Sequence, residues 1–294
     1  MRLSPSVFGL VLGLILPTFA MADQSVTTSE IIFDSGGRPS ALVTVNDTAQ
    51  YVFVIDSAAQ RTTIGPAIVA DFELQPDPDN QVQVQGAAGI DFMDLYRVAS
   101  IEIGRQRAED GIYIAAQIAH GGDDLGHDGI LGQDFFAGSQ IQFDFENRRV
   151  SFGALDLSDS ESAIPVDWLY SSFALIEVQI DGVDVRAIVD TGAAHSIANF
   201  ALMEALGLSR DELEAEESIV GITQHISTRY AGFASGVRIA ETTSAETAIE
   251  FSGSPIFRTF GVENEPALIL GMDVLSLFPG FALDYQADAF YLLD

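Results

Sequence analysis

The chain contains no cysteine and no lysine, and both absences narrow what the protein can do. Without cysteine it has no disulfide, thiol nucleophile, thiolate metal ligand or lipid-modified cysteine anchor. Its 13 Lys-or-Arg positions are all arginine, 43 positions are Asp or Glu, and the formal net charge is −30. Because so acidic a surface repels nucleic-acid phosphates and anionic lipids, we expect neither as a partner.

Hydrophobic runs long enough to span a bilayer are also missing. A short apolar segment, residues 7–16, follows a single basic residue near the N-terminus. The small residues Ala20 and Ala22 then place a cleavage site before Asp23, so the pattern predicts a signal peptide over residues 1–22. We therefore expect a bacterial periplasmic or secreted protein that keeps no membrane anchor after cleavage.

Helical patterns are scarce as well, and short β-like runs separated by glycine and aspartate fill most of the chain. Two segments are predicted to be short helices, residues 66–72 and residues 200–208, the second ending near Gly207. The sequence therefore predicts a mainly β protein with few short helices.

One pattern occurs twice, and the second copy lies 134 residues after the first. In the first copy an apolar strand ends in Asp56, followed by Ser57 and Ala58. In the second copy the corresponding residues are Asp190, Thr191 and Gly192. Two such strands can bring two carboxylates face to face, and paired carboxylates that share a proton are the basis of aspartic-protease chemistry.

Further landmarks follow both copies in the same order. A β-like strand runs into a glycine turn at Gly86 in the first half and at Gly221 in the second. An apolar-apolar-glycine segment comes next, residues 130–132 and residues 269–271. Since all these landmarks recur in one order, the chain contains an internal repeat.

The repeat divides the chain into two lobes. We predict an N-terminal lobe over residues 23–154 and a C-terminal lobe over residues 166–294. A small, acidic stretch lies between them and offers little to bury, so residues 155–165 are predicted to be a linker.

Each half of the repeat resembles the retropepsin-like aspartyl proteases, and two halves in one chain are similar in plan to the pepsins. The resemblance implies a two-lobed acid-protease β-barrel fold. It implies that Asp56 and Asp190 meet between the lobes, hold one water and share a proton. It also implies that the hydroxyls of Ser57 and Thr191 brace the two loops across the interface.

The same resemblance implies how a substrate is held. The turns at Gly86 and Gly221 are flap candidates, which would close over an extended peptide and exclude water. The partner is therefore a peptide or protein substrate, and no cofactor is needed. Because one chain supplies both aspartates, we expect a monomer.

The resemblance thus implies an exported aspartic endopeptidase. The first copy has Ala58 where the second has Gly192, which adds a methyl beside a catalytic carboxylate. This difference supports an alternative, a catalytically impaired protein that keeps the fold and binds peptides.

A second difference, this time from the pepsins, affects the expected pH optimum. Ala59 and Ala193 stand where pepsins have a hydroxyl residue that donates a hydrogen bond to the pair of catalytic aspartates, the dyad. Because the loss of a donor raises the pKa of a carboxylate, we expect a pH optimum nearer neutrality than that of pepsin.

Other candidate sites have weaker patterns. The loop over residues 120–128 contains metal-ligand types, but such acidic, glycine-rich loops are common at turns, and we predict no metal site. Ser196 and Ser227 lack the context of a serine nucleophile, and His195 is interpreted as a polar residue on a loop edge. Trp168 and Tyr170 are predicted to pack between the lobes. The residues predicted to support the two aspartate loops are Ser57 and Ala58 in the first copy and Thr191 and Gly192 in the second.

Overall fold

The computed structural model is mainly β, with only short helices in the part of the chain that it describes. It describes residues 26–86, 89–118, 127–136, 138–158, 160, 163–170, 172–220 and 225–293. The predicted signal peptide, Gly221 and most of the loop over residues 120–128 lie outside this part of the chain. Among the described residues, no helix is both long enough and apolar enough to cross a membrane.

The first half of the chain alternates short strands with two short helices. Its strands are β1 Thr27–Glu30, β2 Ile32–Phe33, β3 Pro39–Val45, β4 Ala49–Ile55, β5 Thr63–Ile64, β6 Pro76–Gly86, β7 Gly89–Ile103, β8 Gln106–Ala115, β9 Gly129–Leu131, β10 Gln140–Asp144 and β11 Arg149–Gly153. Its helices are α1 Pro66–Asp71 and α2 Gln133–Phe136.

The second half follows a similar order, beginning with a two-residue strand inside the predicted linker. Its strands are β12 Ile164–Pro165, β13 Asp167–Leu169, β14 Phe173–Ile180, β15 Val183–Val189, β16 Ile197–Ala198, β17 Glu214–Val220, β18 His225–Ala234, β19 Val237–Ile239, β20 Thr242–Thr243, β21 Thr247–Ser252, β22 Ala267–Leu270, β23 Gly280–Asp284 and β24 Ala289–Leu292. Its helices are α3 Phe200–Ala205, α4 Pro255–Thr259 and α5 Met272–Leu275, with a 3₁₀ turn over Arg210–Glu212.

The two halves share one topology, as the internal repeat predicts. In the first half, β4 is parallel to β9, and β5 pairs antiparallel with the other edge of β9. In the second half, β15 is parallel to β22, and β16 pairs antiparallel with β22. The mainly β, two-lobed fold with few short helices is therefore confirmed.

A sheet of six strands joins the two lobes, in the order β1-β11-β10-β23-β24-β12. At its middle, β10 and β23 are antiparallel neighbours, with Gln140 opposite Asp284. The rings of Phe143 and Phe281 stack with their centroids 4.9 Å apart, and both side chains are buried. Because the lobes share hydrogen bonds and a hydrophobic core here, this sheet fixes their relative position.

Both predicted helices are present, and each ends slightly earlier than predicted. After α3, Gly207 has φ +73° and the N–H of Leu208 donates to the carbonyl of Met203 at 3.0 Å, which ends the helix. After α1, Glu73 takes the same left-handed conformation with φ +48°. The chain therefore turns in the same way in both lobes, although only one lobe has glycine there.

Candidate active site

The two aspartates of the repeat lie directly after equivalent strands. Asp56 follows β4 and Asp190 follows β15. The backbone N–H of Asp56 donates to the carbonyl of Leu131 at 3.1 Å, and that of Asp190 donates to the carbonyl of Leu270 at 3.0 Å. In each lobe, the apolar-apolar-glycine segment therefore holds the aspartate loop from the neighbouring strand.

Two buried hydroxyls connect the aspartate loops across the lobes. The N–H of Ser57 donates to the hydroxyl of Thr191 and the N–H of Thr191 to the hydroxyl of Ser57, both at 3.0 Å. Each hydroxyl in turn donates to a strand-end carbonyl of the opposite lobe, that of Val189 at 2.9 Å and that of Ile55 at 2.7 Å. Ser57 and Thr191 thus brace the loops reciprocally, in the arrangement that the resemblance implies.

This brace brings the two carboxyls together. The carboxyls of Asp56 and Asp190 lie close enough to interact electrostatically and to share one proton. Asp56 Oδ1 accepts from the N–H of Ala58 at 2.8 Å, and Asp190 Oδ1 accepts from the N–H of Gly192 at 2.9 Å. The N–H of Ala193 also donates to Asp190 Oδ1, at 3.1 Å.

The surroundings of the two carboxyls keep a proton on the pair. Burial raises the pKa of both aspartates, and the charge of Asp56 raises the pKa of Asp190 further, well above its usual range. For Asp56, the backbone N–H of Ala58 and the positive charge of Arg38 act against burial and lower the pKa. The pair therefore holds one proton that Asp56 and Asp190 share, and it titrates as a unit.

Gly192 lies in close contact with the opposite aspartate. A Cβ added at Gly192 would stand 2.2 Å from Asp56 Oδ2 and 2.3 Å from its Cγ, so a side chain cannot fit without moving the carboxyl. At the equivalent position of the first lobe, Ala58 has a methyl and its N–H still donates to Asp56. Glycine is therefore a steric requirement in the second loop, and the first loop tolerates alanine while keeping this hydrogen bond.

Two further aspartates support the loops, and the sequence interpretation missed them. Asp134 Oδ1 accepts from the N–H and the hydroxyl of Thr62, both at 2.7 Å, and that hydroxyl accepts from the N–H of Gly132 at 3.1 Å. Asp273 holds Ser196 in the same way in the second lobe, with 2.6 Å between the hydroxyl and Oδ1. The signal was available, because an aspartate follows each apolar-apolar-glycine segment by two positions.

A buried arginine beside the site was also missed. Nε of Arg38 pairs with Asp34 Oδ2 at 2.7 Å, and the side chains are 11% and 0% exposed. The short turn between them, residues 34–38, packs on the second lobe, since a Cβ added at Gly36 would lie 2.8 Å from the Cβ of Ala194. No repeated motif marks this turn, so nothing in the sequence indicates that the charge of Arg38 acts on Asp56.

Replacing Arg38 with glutamine is expected to weaken activity on the acid side of the pH optimum. Its charge lowers the pKa of Asp56, so its removal raises that pKa and moves the acid limb of the profile to higher pH. We expect kcat/KM below the optimum to fall by roughly 3- to 10-fold, within the range that one nearby charge produces. Arg38→Lys retains the charge and serves as the control; equal acid limbs in all three proteins would refute the effect.

Replacing Thr191 with valine is expected to lower the free energy of unfolding by about 3 kcal/mol, because buried partners left unpaired cost about 1–3 kcal/mol each. The groups left unpaired are the N–H of Ser57 and the carbonyl of Ile55. Urea unfolding measures the change, and Thr28→Val removes an exposed hydroxyl as the control. Equal stabilities for both variants would show that the buried brace contributes nothing.

The flap candidate Gly86 lies at the tip of the β6–β7 hairpin. It is the last residue of β6 and pairs with Gly89, while residues 87–88 between them lie outside the described chain. Ile90 and Phe92 of this hairpin are 50% and 64% exposed. Gly221 falls between β17 and β18, which pair as a similar hairpin, but itself lies outside the described residues. Closure over a peptide stays a prediction for both hairpins.

The remaining candidate residues have other contacts. Ser196 is bonded to Asp273, and the exposed ring of His195 lies 3.8 Å from the same carboxylate. Trp168 stacks on Tyr285 with the ring centroids 4.7 Å apart, and the hydroxyl of Tyr170 donates to a backbone carbonyl within the second half. In the contacts that the structure describes, none of these side chains is hydrogen-bonded to Asp56 or Asp190.

Comparison with known proteins agrees with this geometry. A family model described as aspartyl protease matches residues 41–135 and residues 176–274, which together make up more than half of the chain. Each matched segment contains one of the two aspartate loops. No curated protein matches the chain.

Proposed function

Because this chain belongs to the aspartyl protease family, we propose that it is an exported endopeptidase whose two lobes each supply one catalytic aspartate. The observation that carries the proposal is the reciprocal pairing of Ser57 and Thr191, which holds the loops of Asp56 and Asp190 against each other across the lobe interface. A carboxylate beside a carboxylic acid is the arrangement needed to activate a water and to stabilise an oxyanion at once.

In the first step, water adds to the peptide carbonyl. The ionised Asp56 takes one proton from a water held between the two carboxyls, and the water oxygen bonds to the carbonyl carbon. At the same time Asp190 gives its proton to the carbonyl oxygen, so a neutral tetrahedral diol forms. Burial and the mutual charge of the pair support a state with one shared proton, which this division of roles requires.

In the second step, the diol collapses and the peptide bond breaks. Asp56 passes its newly gained proton to the leaving nitrogen, and Asp190 recovers a proton from one hydroxyl of the diol. The products are a carboxylic acid and an amine, and the dyad returns to its starting state. No covalent enzyme intermediate and no cofactor take part in this sequence.

The remaining parts of the proposal follow from the sequence. The N-terminal pattern supports export to a bacterial periplasm or beyond, and the acidic surface supports a peptide or protein partner over nucleic acid. Since the braced loops of Ser57 and Thr191 come from one chain, a second copy is not needed to form the dyad, and we propose a monomer.

A peptide library incubated with the purified protein from about pH 3 to 8 tests this function, because the range spans the expected titration of the dyad. The expected result is internal cleavage with an optimum nearer neutrality than that of pepsin. Ala58 supports the second candidate, a protein that binds peptides and does not cut them. Library peptides that co-elute with the folded protein uncut at every pH would favour that candidate and contradict the first.

A further inference from the structure

Gln133 is a buried amide at the first position of α2, and its side chain meets two backbone carbonyls. Its Nε2 group donates to the carbonyl of Ser57 at 2.8 Å and also to the carbonyl of Ser172. The residue is only 4% exposed. Because both partners are acceptors, the group facing them is the NH₂ end of the amide, and both of its hydrogens are used.

These two carbonyls belong to different lobes. Ser57 lies in the aspartate loop of the first lobe, and Ser172 lies in the turn between β13 and β14 of the second lobe. The backbone N–H of Gln133 also donates to the carbonyl of Ala59 at 2.8 Å, which ties it to the same aspartate loop. Gln133 therefore links the loop of Asp56 directly to the opposite lobe.

The repeat shows that this link is not imposed by the fold. The equivalent residue of the second lobe is Met272, whose backbone N–H makes the matching bond to the carbonyl of Ala193 at 2.8 Å. Its side chain is buried and apolar, and it packs near Gly37 in the corresponding turn of the first lobe. The same position thus makes a hydrogen-bonded link in one lobe and has a buried apolar side chain in the other.

The bond from Gln133 reaches Asp56 through a single peptide group. The carbonyl of Ser57 and the N–H of Ala58 are the two ends of one planar unit, and that N–H donates to Asp56 Oδ1 at 2.8 Å. A donor at the carbonyl end fixes the rotation of the peptide plane, and it also polarises the N–H at the other end. The first loop has alanine in place of glycine at position 58, and this is the loop that receives the additional bond.

We propose that Gln133 is a positioning residue, which orients the Ser57–Ala58 peptide so that its N–H stays directed at Asp56. It acts through the backbone and does not touch the substrate. The proposal deepens the proposed function and rests on it for its effect on catalysis, but its effect on the titration of the dyad can be measured in a protein that cleaves nothing.

The test replaces Gln133 with methionine, the residue that the second lobe uses at this position. The backbone bond to Ala59 remains and only the amide is lost. Because a weaker donor to Asp56 raises its pKa, we expect the lower apparent pKa of the dyad to rise, as followed by the ¹³C shift of the aspartate carboxyls. We also expect kcat to fall by about tenfold with KM nearly unchanged, less than the roughly 100-fold that a misplacement of about 1 Å produces.

Met272→Leu is the matched control, since it alters the equivalent side chain without removing a hydrogen bond. An unchanged lower pKa in folded Gln133→Met would overturn the proposal, whereas a parent that cleaves no peptide would count only against the proposed function. If the methionine variant does not fold, Gln133→Leu supports the same comparison. In the parent, slow exchange of the Gln133 NH₂ protons is expected, and exchange at the rate of a free amide would also overturn the proposal.

Discussion

Asp56→Asn and Asp190→Asn are each expected to lower kcat for peptide cleavage by about 10⁴-fold, the upper end of what general acid–base catalysis contributes. An amide at position 56 cannot take the proton of the attacking water. An amide at position 190 cannot give a proton to the carbonyl oxygen and take it back. Because the two groups work as one unit, the double variant should be no slower than the slower single variant.

Asp184→Asn is the matched control for these variants. Asp184 lies on β15, the strand that leads to Asp190, but it is exposed and bonded to Gln179. Its substitution should leave kcat within about twofold, as expected for a surface change. Cleavage by Asp56→Asn at more than about one tenth of the parent rate would contradict the two-carboxylate mechanism, because one aspartate would then suffice.

Gly192→Ala is expected to have the next largest effect, a loss of about 100-fold or more in kcat/KM. The new Cβ would stand 2.2 Å from Asp56 Oδ2, so the carboxyl of Asp56 must move away from its place beside Asp190. The carboxyls of Asp56 and Asp190 would then no longer be placed to share a proton. Michaelis kinetics of the folded variant measure the loss.

The reverse substitution in the other lobe, Ala58→Gly, is the matched control. It removes a methyl at the equivalent position and keeps the N–H that donates to Asp56. We expect activity equal to or above that of the parent, because no contact of the dyad is lost. If Gly192→Ala were as active as the parent, the close approach of Gly192 to Asp56 would not constrain the site.

The dyad was predictable from the sequence because its signal is local and occurs twice. Asp56 and Asp190 end equivalent apolar strands, and each is followed by a hydroxyl residue, so the repeat alone pairs them. Asp134 and Asp273 were equally visible in the repeated glycine segments. Their positions were visible, but their partners Thr62 and Ser196 lie 72 and 77 residues away, so the hydrogen bonds between them appear only in the folded structure.

Other parts of the site depend on contacts that no pattern announces. Arg38 lies in a turn whose sequence is not repeated in the second half, and its charge lowers the pKa of Asp56 from outside the repeated motifs. Gln133 occupies a repeated position, yet its partner Ser172 is 39 residues away and belongs to the other lobe. Gln133 and Met272 occupy equivalent positions, and only the folded structure shows which groups each side chain contacts.

The proposed mechanism depends on Asp56 and Asp190 acting as one proton-sharing unit across the lobe interface. Titration of their carboxyl ¹³C shifts tests it most directly, with the signals assigned by Asp56→Asn and Asp190→Asn. We predict two well-separated apparent pKa values that belong to the pair, the upper one well above the usual range of an aspartate. In either variant only one carboxyl remains, so the two-step titration should be replaced by a single step. Two independent titrations near the ordinary value of about 4 would contradict the account, because the two carboxyls would then not share a proton.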